Sequence, residues 1–162
     1  MMAAPVVAVA VGAWWLFAVG PMRDPSSALQ DFHEAEDRSE EQLCDPLILA
    51  GPRVVPLVIA DLPKKGTPLR LYAIRFLGNE RDSRALPVLE QLLGDDEENV
   101  DFRAEAFKAI YQISPDRARQ LVTVYAYGHD QVARVAVDIA AGHDPGCWTR
   151  TYWQAFRHER SE

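Results

Sequence analysis

Leu69-Arg70-Leu71-Tyr72-Ala73-Ile74-Arg75-Phe76-Leu77-Gly78 returns in altered spelling thirty-three residues later, at 102 against 69. Leu69, Arg70, Ala73, Ile74 and Leu77 align with Phe102, Arg103, Ala106, Phe107 and Ile110, and further on Ala85 and Leu89 align with Ala118 and Val122. A period of this size marks stacked helical hairpins, because one hairpin cannot bury its apolar face without a neighbour. Within the stretch the apolar residues fall at i, i+4, i+5 and i+8, a single helical stripe, with Arg70 and Arg75 off it. Gly78 followed by the polar run 79–84 predicts a helix stop. Ala85, Leu86, Leu89, Leu92 and Leu93 then form a second stripe, and Pro87, Pro56 and Pro115 suit the first turn of a helix, where a missing N–H costs little. Small Ala73 and Ala106 are expected where helices cross closely, and the other recurring apolar residues as core.

The pattern extends with decay. Arg53-Val54-Val55-Pro56-Leu57-Val58 matches Arg84-Ala85-Leu86-Pro87-Val88-Leu89 in type, while Val132, Ala136, Val137 and Ala140 repeat the later rhythm with Ala133 in place of the arginine. Across residues 43–142 the chain resembles the HEAT-repeat family, in particular the short bacterial repeats of the phycobilisome-lyase type. The residues carrying the resemblance are those of 69–78 together with Arg84-Ala85-Leu86-Pro87-Val88-Leu89-Glu90-Gln91-Leu92-Leu93. It implies an all-α fold, a short right-handed α-solenoid of about three to four hairpins. In such folds the second helices line the concave surface, which implies partner contacts from the off-stripe residues Arg84, Glu90, Gln91, Arg117, Gln120 and Thr123. The resemblance is specific for fold and says almost nothing of activity.

Residues 1–22 carry no charged side chain, and Ala3 to Gly20 includes Trp14, Trp15, Leu16 and Phe17. A helix of about 18 to 22 residues rising 1.5 Å per residue crosses a hydrocarbon layer of roughly 30 Å. The stretch is therefore expected to be a single transmembrane helix ahead of the repeats. A cleaved signal peptide would need a basic start and small residues at the cut, and no Lys or Arg precedes Arg23. With few Lys or Arg on either flank, orientation is expected to follow a bacterial inner-membrane signal anchor, the repeats outside the cytoplasm. Trp14 and Trp15 lie deeper than the usual interfacial belt, which fits a second arrangement in which the chain is an accessory subunit of an integral membrane complex.

The chain organises as anchor 1–22, acidic stalk 23–42, repeat domain 43–145 and an aromatic capping helix 146–162. Its net charge of −7 over 162 residues excludes a nucleic-acid surface, which would present a basic stripe. Asp95-Asp96-Glu97-Glu98 lacks the alternating ligands and glycine of an EF-hand loop, and acids ahead of a helix suit its dipole. Trp148, Tyr152 and Phe156, spaced by four with Trp153 beside them, predict an aromatic face that seals the end of the array or, through Trp148 and Trp153, docks a partner. Cys44 and Cys147 bracket the array too far apart for a disulfide and are expected as buried thiols. His33, His129, His143 and His158 have no zinc-site spacing, and no nucleophile elbow or phosphate loop is present. The expectation is a membrane-anchored protein-binding scaffold with no catalytic, cofactor or metal residues and no small-molecule substrate.

Overall fold

Helix starts coincide with caps that the sequence supplies. Asp24 accepts a hydrogen bond from the Ser27 backbone N–H, Asn99 from Asp101, Ser114 from Arg117 and Asp130 from Ala133, each answering one of the donors a helix leaves open at its first turn. Pro25, Pro46, Pro56, Pro87 and Pro115 all fall in first turns. In the computed structural model the described residues are 24–38 and 42–148. They form α1 (Pro25–His33), α2 (Asp45–Ala50), α3 (Val55–Asp61), α4 (Arg70–Glu80), α5 (Leu86–Gly94), α6 (Val100–Ile113), α7 (Pro115–Tyr125) and α8 (Gln131–Ala140), joined by short 3-10 turns and with no strand among them. The described chain is thus all-helical.

The first helices of successive units lie side by side, α4 against α6 and α6 against α8. The second helices sit over the joints: α5 packs mainly on α6, the first helix of the following unit, and α7 packs on both α6 and α8. A continuous core runs through them, with Phe76, Leu77, Leu89, Leu93, Phe107, Ile110 and Ala136 among its most enclosed members. Ala73 and Ala106 are buried within it.

Two expectations are corrected. Gly78 does not stop α4, which continues to Glu80. A Cβ at Gly78 would stand 2.5 Å from Gln112 Oε1 and 3.0 Å from both Cα and Cβ of Ala109, so this glycine permits a close approach of α4 and α6. The left-handed residue that ends the helix is Arg81, at φ 53°, its N–H donated to the Gly78 carbonyl. The second correction concerns the acidic stalk. Ala28, Phe32 and Ala35 are fully buried, α1 packs on α2 and α3, and His33 Nε2 lies 2.8 Å from Asp61 Oδ2. Two apolar residues four apart make a stripe narrow enough to be hidden in a charged run yet wide enough to dock a helix.

Among the described residues no helix is long and apolar enough to cross a membrane. The uncharged segment 1–22 lies outside the described residues, as does nearly all of the expected capping helix, residues 149–162.

Candidate functional site

The arginines that recur in the repeat have an inward task. Arg70 is 8% exposed; its Nε donates to the Leu62 carbonyl at 2.9 Å and its Nη1 to Glu98, while the guanidinium lies 5.8 Å from the centre of the Phe102 ring. Arg103 repeats the carbonyl contact, its Nε donating to Leu93 at 3.0 Å, while its Nη2 meets the exposed Asp96 of the loop just before it at 2.7 Å. Each arginine therefore satisfies a carbonyl at the C-terminal end of the preceding second helix and ties down the acidic loop that follows α5. Asp95 pairs with Lys65 at 3.5 Å. The acidic run thus has structural partners in three of its four members. Burial pushes the Glu98 carboxyl up, but the Asn99 backbone N–H and the Arg70 guanidinium outweigh it and hold it below the ordinary glutamate range.

The outward face is carried by α5 and α7. Glu90 and Arg117 meet across the two helices in a two-point pair, Nε to Oε1 at 2.7 Å and Nη2 to Oε2 at 2.6 Å, and this guanidinium draws the Glu90 carboxyl well down. Arg117 Nη1 also donates to Gln120 Oε1 at 3.1 Å. Thr123 is exposed beside them, its hydroxyl donating to the Gln120 carbonyl at 3.3 Å. Arg84, the counterpart of Arg117 one period earlier, instead turns back on Asp82, with Nε 3.0 Å from both carboxylate oxygens. Gln91 is exposed on α5 and borders a cavity of about 50 Å³ between α5 and the loop after α3. The structure thus joins Glu90, Arg117 and Gln120 into one network and leaves Arg84, Gln91 and Thr123 as separate surface groups. Val124 on α7 and Tyr127 in the loop just after it are 65% and 86% exposed and were not among the expected contacts. Their signal was available: Val124 stands one period after exposed Gln91, and Tyr127 one after exposed Gly94.

Trp148 has a different setting. Residues 144–148 return across α4 and α6, Asp144 Oδ1 accepting from the N–H groups of Gly146 and Cys147. The Trp148 carbonyl accepts from Asn79 Nδ2 at 3.0 Å and Gln112 Nε2 at 3.3 Å, and its ring lies 5.7 Å from the Arg75 guanidinium. Arg75 also meets buried Glu105 at 3.2 Å. Trp148 therefore belongs to the first-helix side and not to the α5–α7 face; Trp153 lies outside the described residues. Cys147 is a free thiol whose Sγ stands 3.7 Å from the Lys108 carbonyl, whereas Cys44 Sγ stands 3.7 Å from the Tyr72 carbonyl. Burial, with Asp144 adding to it, pushes the Cys147 thiol up to about 12, which leaves almost no thiolate at neutral pH.

Among the described residues no group of three His, Cys, Asp or Glu side chains is gathered to hold a metal ion. Set against protein-family models, curated proteins and solved structures, the chain matches none.

Proposed function

We propose that this chain is a membrane-tethered interaction module, its hairpins arranged as a short right-handed HEAT-like solenoid and its α5–α7 surface holding a partner protein. The observation that carries the reading is a contrast between equivalent positions. Arg70 and Arg103 each donate to a carbonyl at the end of the preceding second helix and pair with an acid of the 95–98 run, whereas Arg84 and Arg117 share no contact. Repetition of the interior with variation of the exterior suits a scaffold that keeps its joints and specialises its surface. The surface combines a two-point ion pair, two amides and the exposed Val124 and Tyr127, a mixture of polar groups and anchors found where proteins meet. The uncharged residues 1–22 supply the anchor in this reading, with the repeats outside the cytoplasm of a bacterial cell.

Crosslinking in the native membrane, followed by detergent purification of the full chain and mass spectrometry, tests it. A stoichiometric partner lost on Tyr127→Asp, with helicity unchanged, is the expected result. Recovery of the chain alone, or retention of the partner by Tyr127→Asp, overturns it.

A further inference from the structure

The last unit of the array exposes what the unit before it buries. Val137 and Ala140 on α8 stand where Phe107 and Ile110 stand on α6, in the preceding unit. Phe107 and Ile110 are fully buried, and the Phe107 ring lies 5.7 Å from that of Tyr125 on the second helix α7. Val137 is 53% exposed, and Ala140 and Ala141 are exposed with it; among the described residues no second helix follows α8. The chain leads away from this face instead, passing Lys108 of α6 at Cys147 and reaching Asn79 of α4 at Trp148. The opposite end of the array has a cover, since α1 lies on α2 and α3 with Ala28 and Phe32 fully buried. Terminal repeats need such a seal.

The open face also carries both signs of charge. Arg134 and Asp138 stand one turn apart beside Val137, and neither side chain has a partner among the described residues. Four residues of helix rise about 6 Å. An antiparallel copy of α8 crossing near residue 136 therefore sets Arg134 of each chain opposite Asp138 of the other and brings the two Val137 side chains together. We infer that this face binds a second copy of the chain, α8 against α8 about a two-fold axis, so that one contact seals both open ends. Such a pairing uses the same patch twice and closes on itself, whereas head-to-tail stacking would meet the end that α1 covers. A groove of about 340 Å³ between α8 and the loop 128–130 leaves room for the opposing side chains. The pairing depends neither on the α5–α7 surface nor on a membrane tether.

Sedimentation of the full-length chain in detergent across a dilution series tests it, and the parent is expected to dimerise. Arg134→Asp and Asp138→Arg each set like charges across the axis twice, and each is expected to weaken the dimer by at least about tenfold with helicity unchanged. Mixed together, these two variants bring opposite charges back to both contacts, so differently tagged copies are expected to co-purify. Val137→Cys, a milder change, is expected to join two chains through a short bis-maleimide at a rate well above that of the parent, whose cysteines are Cys44 and Cys147. A parent chain that stays monomeric would overturn the inference, whether residues 149–162 or another protein holds the face. A dimer left intact by both charge reversals would do the same by placing the contact elsewhere. Folded variants that fail to associate when mixed, or Val137→Cys chains that do not crosslink, would rule out this antiparallel pairing.

Discussion

Arg70 and Arg103 are one period apart and share a carbonyl contact; Arg84 and Arg117 are also one period apart and share none. The inner pair each reach a carbonyl at the end of the preceding second helix and an acid in the loop after α5. Of the outer pair, Arg84 closes on its own turn and Arg117 bridges to the neighbouring helix. The difference teaches where a repeat is constrained. A buried guanidinium must have its partners supplied, since an unpaired buried charge is heavily penalised, whereas a solvated one finds water wherever it points. The carbonyl contact is therefore kept in the two units that carry the arginine, and the surface is free to vary.

The largest expected effect comes from breaking the inner joint where both partners are buried. Arg70→Met strands Glu98, 9% exposed at its side chain, and should cost about 3–5 kcal/mol in urea unfolding. Adding Glu98→Gln should return most of it; a double variant no better than the single would mean that Arg70 acts by packing alone. Gly78→Ala should follow at about 1–3 kcal/mol, because its methyl meets the Ala109 backbone. Arg103→Met should cost only about 1 kcal/mol, the value of its hydrogen bond to Leu93, because Asp96 is 90% exposed and stays hydrated. A cost equal to that of Arg70→Met would show that the two joints differ less than their burial implies.

Acid sharpens the same comparison. The Glu98 and Glu90 carboxyls are held below the glutamate value of 4.5, so the unfolded chain binds more protons than the native one as pH falls below that value. Their contribution to stability is fully present above it and is lost as pH drops through the lowered native values. The Arg70→Met, Glu98→Gln chain should show a shallower loss of melting temperature below pH 4.5 than the parent, and an unchanged slope would remove Glu98 from the account. The smallest effect belongs to the outer pair. Arg84→Glu should leave the unfolding midpoint nearly where it was while reducing partner capture, whereas Arg117→Glu also sets a carboxylate against Glu90 and should lower the midpoint somewhat; equal capture by both would free the α5–α7 face of its assigned task.

Much of the helical framework was legible because it obeys local rules. The stripes 69–77 and 85–93 and the prolines of the first turns are written in neighbouring residues. The charged face was legible only as a set of off-stripe positions. That Glu90 would meet Arg117, twenty-seven residues away, depends on how α5 and α7 lie over α6. Gly78 was misread for the same reason: a glycine before a polar run looks like a stop until the helix that presses on it is in place. The setting of Trp148 was not legible either, because its partners, Arg75, Asn79 and Gln112, are brought to it by a return of the chain that no periodicity records.

By itself, then, the sequence determined that the array is built of helices, where those with Pro56, Pro87 and Pro115 in their first turns begin and which residues repeat, since helix propensity and apolar period act over three or four residues. Only the tertiary structure decided that the acidic run serves two repeating arginines, that α1 is part of the body and not a tether, and which charges meet. Those outcomes are settled by burial, which pairs groups far apart in the chain when leaving either one alone would cost more than bringing them together.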